Sequence, residues 1–235
     1  MYLKYITDEK LIEEVKKILA VIEKAKSNDI YSNALDPFSF IFDVTANGLT
    51  VEEWFEQEEV RQAQKSMQNQ IGNFHQGIVG NSIGWSDLGI GKVIDLKCDS
   101  KKILAEIKNK HNTTKGNHKI NVYDDLEIIL NMPEYKDYTG YYVEVIPANK
   151  NVYNKPFQPP DNKIKDKEKK NRPMNEKIRQ IDGKSFYSMV GGYENALKDL
   201  YLVIPKIVSE LTGKPLSEKD VSKYLEILNS SYNFR

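Results

Sequence analysis

From Thr7 to about Lys26, apolar Leu11, Ile12, Val15, Ile18, Leu19 and Ile22 recur at spacings of three and four behind a Thr7/Asp8 start signal. That period predicts an amphipathic helix. Asn28 to Gly48 is rich in turn residues and carries Pro37. Within it, Phe38 to Val44 is apolar enough for either a short helix or a buried strand and stays unassigned. Thr50 followed three residues later by Glu53 is a capping-box pattern, and the proline-free polar segment up to Gly72, extendable through Phe74 to Val79, predicts a long helix.

The period then changes. KVIDLKC (92–98) and KILAEIKNK (102–110) are rich in apolar and β-branched residues and are separated by Asp99 and Ser100, which predicts a β-hairpin. YYVEVI (141–146) predicts a third strand ending before Pro147, with YDDLEIIL (123–130) as the crossover helix. Asn149 to Pro173 is polar, with Pro156, Pro159 and Pro160 ahead of KIKDKEKKNR, and is expected to be a long exposed loop. KIRQIDGKSFYSMVGG (177–192) predicts a short strand, an Asp182-Gly183 turn and a helix start. An apolar helix follows from Glu194 to Leu211, and a last one lies near Ser217 to Asn229 with Ser217 and Asp220 as caps. The order points to an α/β (α+β) fold with a central mixed sheet flanked by helices. It is expected to be a single domain over 1–235: a helical part (1–80), a sheet core (81–150), an exposed loop (151–173) and a C-terminal helical part (174–235).

The hairpin carries the candidate chemistry. Residues two apart on a strand face the same way, so Glu106 and Lys108 share one face with Leu104, while Ile103, Ala105 and Ile107 line the other. A strand of this composition is a costly place for charge. If the loop comprises Asp99 to Lys102, Cys98 pairs with Ile103 and Asp95 stands opposite Glu106; a three-residue loop would turn Asp95 away. Two opposed carboxylates repel unless a cation lies between them. Asp95, Glu106 and the carbonyl of Ile107, completed by water and phosphate, suit Mg²⁺ better than zinc. Lys108 beside them is placed to hold an attacking water and to offset charge on a phosphorane-like transition state. Alone, an acid-x-lysine triplet is commonly a surface ion pair. Asp87, in a turn-like GWSDLG, is a rival first acid.

Composition adds limits more than direction. Forty per cent hydrophobic and 29% charged residues describe an ordinary globular chain, and no apolar run approaches the roughly 18 residues of a membrane span. The N-terminus lacks the pattern of a secretory signal, and Cys98 is the only cysteine, so a cytoplasmic protein is expected. With 34 Lys and Arg against 34 Asp and Glu, net charge names no partner, although basic residues gather in Lys108 to Lys119 and Lys163 to Arg179. Three histidines are too few for a histidine-metal nuclease, and His75 is expected to be structural.

At Asp95…Glu106-Ile107-Lys108 the chain resembles the nuclease superfamily whose signature is PD…(D/E)xK, with Ile94 where the signature has proline. GWSDLGIGKVIDL (84–96), AEIKNKHNTTKGNH (105–118) and KIRQIDGKSFYSMVGG (177–192) together are similar to the type II restriction enzymes that cut GGNCC-type sites. The resemblance implies a restriction-endonuclease-like core, a homodimer on a short palindrome of double-stranded DNA, and Mg²⁺-dependent cleavage leaving a 5′-phosphate and a 3′-hydroxyl. It also implies a DNA methyltransferase in the same cell. Asn109, Lys110, His111, Asn112, Thr113, Thr114 and Lys115 follow the acidic strand where phosphate and groove contacts would begin. Arg179 and Gln180, with Arg172 and Lys177 nearby, form a second candidate DNA surface. Glu53, Glu56, Glu58 or Gln70 could add an outer metal ligand. The alternatives are a structure-specific repair or recombination nuclease and a non-catalytic DNA-binding protein of the same fold.

Overall fold

The computed structural model describes residues 1–27, 29–89, 94–113, 116–161 and 171–234. Thr114, Lys115 and the 162–170 part of the expected loop lie outside the described residues. The chain divides into two compact units, Glu14–Phe74 and Met1–Glu13 with His75–Arg235.

Three helices supply the smaller unit, in part or whole: α1 (Asp8–Ser27), α2 (Pro37–Asn47) and α3 (Val51–Gly80). The unassigned apolar segment is α2, and local signals at its two ends explain why it is a helix. The Asp36 carboxylate accepts from the N–H groups of Phe38 and Ser39, Pro37 occupies the first turn, and Gly48 closes the helix at φ +65° with its N–H on Val44 O. The capping box of α3 forms as predicted, Thr50 N–H donating to Glu53 Oε2 at 2.8 Å and Glu53 N–H to Thr50 Oγ1 at 3.1 Å. Trp54 is a buried ring of this unit and meets Phe40 edge-on at 4.9 Å.

The larger unit is built on a six-stranded mixed sheet. Its strands are β1 (Ser86–Asp87), β2 (Leu96–Cys98), β3 (Ile103–Lys110), β4 (Thr139–Ile146), β5 (Asn154–Pro156) and β6 (Ile178–Asp182), in the order β1-β2-β3-β4-β6-β5. The central β3–β4 and β4–β6 pairs are parallel and the outer pairs antiparallel. Parallel neighbours need a crossover, and α4 (Gly116–Leu130) provides it between β3 and β4. This helix lies close on the sheet: a Cβ at Gly140 would come within 2.7 Å of Leu126 Cδ2. Leu104, Val122, Tyr123, Leu126, Tyr142 and Ile178 form the core between them. On the opposite face α5 (Gly183–Gly191) starts hard against β4, where a Cβ at Gly183 would meet Val145 O at 2.2 Å. His75 is half-buried there: its Nδ1 lies 2.8 Å from the Tyr187 hydroxyl, and burial lowers its pKa to about 4. Helices α6 (Ala196–Thr212) and α7 (Glu218–Ser231) complete the unit.

Two expectations change. The strand expected over 92–98 is only Leu96–Cys98; Ile94 and Asp95 lie before it, and 92 and 93 fall outside the described residues. The expected exposed loop contains the edge strand β5 and a buried anchor, Phe157, stacked on Tyr142 at 4.6 Å. One aromatic residue here outweighs the polar composition around it, because its ring fills space between α4 and the sheet. Among the described residues no helix is long and apolar enough to cross a membrane.

Candidate active site

The hairpin sets the register of the site. Cys98 pairs with Ile103 and Leu96 with Ala105 around a loop of Asp99 to Lys102, in which Lys102 takes the left-handed conformation at φ +53°. One residue further, the pairing with β3 has ended and the Asp95 carbonyl faces β1, accepting from Leu88 N–H at 2.8 Å. Its side chain still reaches β3, where Asp95 Oδ2 takes the N–H of Ile107 at 3.2 Å. The carboxylate of Asp95 is thereby tied to β3 beside Glu106, and the two acids interact directly.

Glu106 is buried, and Lys108 Nζ donates to its Oε1 at 2.6 Å. Burial, then the charge of Asp95, push the Glu106 carboxyl up to about 7 against the opposing pull of Lys108. A carboxyl in this state is short of positive charge, which is the electrostatic requirement for a divalent-cation site. Among the described residues no third carboxylate, histidine or cysteine joins the pair. The carbonyl of Ile107, the third ligand expected from the sequence, follows Glu106 directly on β3.

Asp87 is engaged elsewhere. Its Oδ1 accepts from Gly89 N–H at 2.8 Å and from Gln76 Nε2 at 3.0 Å, bracing its own turn. Of the outer-ligand candidates, Glu53 caps α3, Glu58 pairs with Arg61 and accepts from Gln62, and Gln70 accepts from Asn73, all within the smaller unit.

The DNA candidates separate. Lys110 lies on the face of Glu106 and Lys108 at the carboxyl end of β3, and Asn112 and Thr113 are exposed in the turn beyond it, with Thr113 Oγ1 donating to Lys110 O at 2.7 Å. Asn109 points to the opposite face. Its Oδ1 is buried and, among the described residues, has no hydrogen-bond partner. Arg179 is engaged within the sheet: Nε and Nη2 donate to Asn154, each at 2.6 Å, which ties β5 to β6, and Nη1 donates to Glu176 at 3.0 Å. Gln180 donates to Glu144 Oε2 at 2.8 Å.

Glu144 is the residue that the sequence did not mark. It stands on β4 in register with Lys108, is 3% exposed, and accepts from Lys119 Nζ at 2.8 Å and Tyr153 Oη at 2.5 Å as well as from Gln180. Burial and this bond hold the Tyr153 hydroxyl above the usual phenol range. The available signal was an acid in the apolar strand YYVEVI; its partners come from positions 119, 153 and 180, too far apart for spacing to connect them.

The family model described as Eco47II restriction endonuclease matches residues 3–213. The chain is 37% identical to "Type II restriction enzyme Eco47II" of Escherichia coli over 232 residues, 94% of this chain and 92% of that protein. It is 31% identical to "Type II restriction enzyme Sau96I" of Staphylococcus aureus over 210 residues, 87% of this chain and 78% of that one.

Proposed function

The chain belongs to the Eco47II restriction endonuclease family and is a type II site-specific deoxyribonuclease, and from that premise we propose that it cuts with Asp95, Glu106 and Lys108. The target proposed is a short GGNCC-like palindrome in double-stranded DNA, read by a homodimer whose two-fold axis matches that of the site. The observation that carries this reading is Glu106: a buried carboxyl driven up to about 7, beside a second acid and one lysine, midway along the parallel β3–β4 pair.

Asp95, Glu106 and the carbonyl of Ile107 would hold Mg²⁺. When bound, the ion polarises the scissile phosphate and makes its coordinated water a better nucleophile. The chain's own groups do the positioning. Asp95 is fixed by the Ile107 N–H, so its free oxygen keeps one direction. Lys108 orients the attacking water and balances the charge that grows on the phosphate oxygens as the water oxygen bonds to phosphorus and the P–O3′ bond breaks. The products are a 5′-phosphate and a 3′-hydroxyl. Lys110, Asn112 and Thr113, with Thr114 and Lys115 from the sequence, would line the DNA backbone beside the cut. Arg179 and Gln180 would read bases only by giving up their bonds to Asn154, Glu176 and Glu144, and Asn109 only from the other side of β3. A type II enzyme further implies a methyltransferase that protects the host's own sites.

The test is digestion of unmethylated plasmid or phage DNA with Mg²⁺ or EDTA, alongside Glu106→Ala and Lys108→Ala. Discrete fragments that require Mg²⁺ and vanish in both variants are expected, and sequencing their ends gives the site and the cut position. A smear would instead indicate a structure-specific nuclease, and intact DNA over a range of metals would overturn the assignment of the centre.

A further inference from the structure

Beside the Glu106–Lys108 pair, one strand over on the same face, lies a second acid–lysine pair, Glu144 with Lys119. Glu144 needs no cation for its own sake. Two neutral donors, Tyr153 and Gln180, already reach it, and buried ion pairs are often replaceable by apolar side chains without loss of stability. Lys119 stands in the first turn of α4, at the positive end of the helix dipole. Its ammonium is held twice, by Glu144 Oε1 at 2.8 Å and over the Tyr142 ring at 5.3 Å, yet its side chain is still 21% exposed. A lysine so fixed has already lost its rotamer freedom and can meet an anion without losing it again. The anion that comes to this edge of β3 and β4 is the DNA backbone, because the same edge carries Glu106, Lys108 and Lys110.

We propose that Lys119 contacts a DNA phosphate next to the one being cut, with Glu144 as its positioning residue. This rests on the nuclease reading of the Asp95–Glu106–Lys108 centre. The test is duplex affinity over a salt series in Ca²⁺, which permits binding without cutting, using duplexes with and without a GGNCC-type site. Lys119→Gln/Glu144→Gln removes both charges together and leaves no buried charge unpaired, so it keeps the test valid should Lys119→Gln alone misfold. The dependence of log affinity on log salt is expected to flatten by about 1.8, about 0.9 for the one phosphate contact that each protomer of the homodimer loses, equally on both duplexes. Lys119→Arg restores it. Glu144→Gln keeps the wild-type slope while weakening binding about fivefold, since the charge remains but its tether is neutral. An unchanged slope in a folded double variant would overturn the inference and make Lys119 a packing partner of Glu144 only. Cleavage that survives Glu106→Ala and Lys108→Ala would instead overturn the reading of the centre, and this inference with it.

Discussion

Glu106 and Glu144 are both buried, both on the α4 side of the sheet, and both next to a lysine, yet their surroundings are opposite. Glu144 has donors on both oxygens from three separate elements, whereas Glu106 lies against another acid, with Lys108 as its cationic partner. Burial of a carboxylate is therefore not in itself a mark of chemistry. In the function proposed above, the acid that cuts is the one with acceptor capacity left over beside a second negative charge, and the acid whose lone pairs are already used holds structure in place.

Cutting should separate the two most sharply. Glu106→Gln is expected to lower plasmid cleavage by about a thousandfold or more, as loss of a central electrostatic group does, while Glu144→Gln lowers it by no more than about tenfold, the size of one charge-assisted hydrogen bond. Equal losses would dissolve the distinction. Stability should sort them the other way. Glu144→Ala strands the buried end of Lys119 and should cost about 3–5 kcal/mol in denaturant titrations.

Glu106→Gln should instead stabilise the metal-free protein, and only at higher pH. The folded carboxyl binds its proton up to about 7, against an ordinary 4.5, so the native state holds more protons than the unfolded chain between those values and stability falls as pH rises through that window. Removing the group recovers up to about 3 kcal/mol above pH ~7 and almost nothing below pH ~4.5. A melting-temperature gain independent of pH would contradict this. The smallest effect separates the two aspartates: Asp87→Asn should keep cleavage and cost about 1 kcal/mol from its turn, while Asp95→Asn should lose cleavage with Glu106. Retained cutting in Asp95→Asn would move the first acid elsewhere.

How far the sequence reached follows from the distance over which each feature is encoded. That Asp95, Glu106 and Lys108 come together was legible because they belong to one hairpin, where alternation and loop parity determine which residues meet. Helix α2 also had its instructions locally, in Asp36-Pro37 and Gly48, although its apolar content masked them. Glu144 was illegible because its identity as a holder depends on residues 119, 153 and 180 arriving together. Phe157 was hidden by its polar neighbours, and the bonds of Arg179 to Asn154, which join β5 to β6, come from positions too far apart in sequence for spacing to connect them.

The loop from Asp99 to Lys102 has a genetic consequence. Losing a single codon in frame from these four positions would spare every acid and lysine of the centre and alter no buried side chain. If the hairpin closed over a three-residue loop, however, the alternation would carry Asp95 to the far side of the sheet. For a gene whose product endangers the chromosome of its own host, this is a short mutational route to harmlessness, and such a disarmed allele would still look intact at each of the residues proposed to do the cutting.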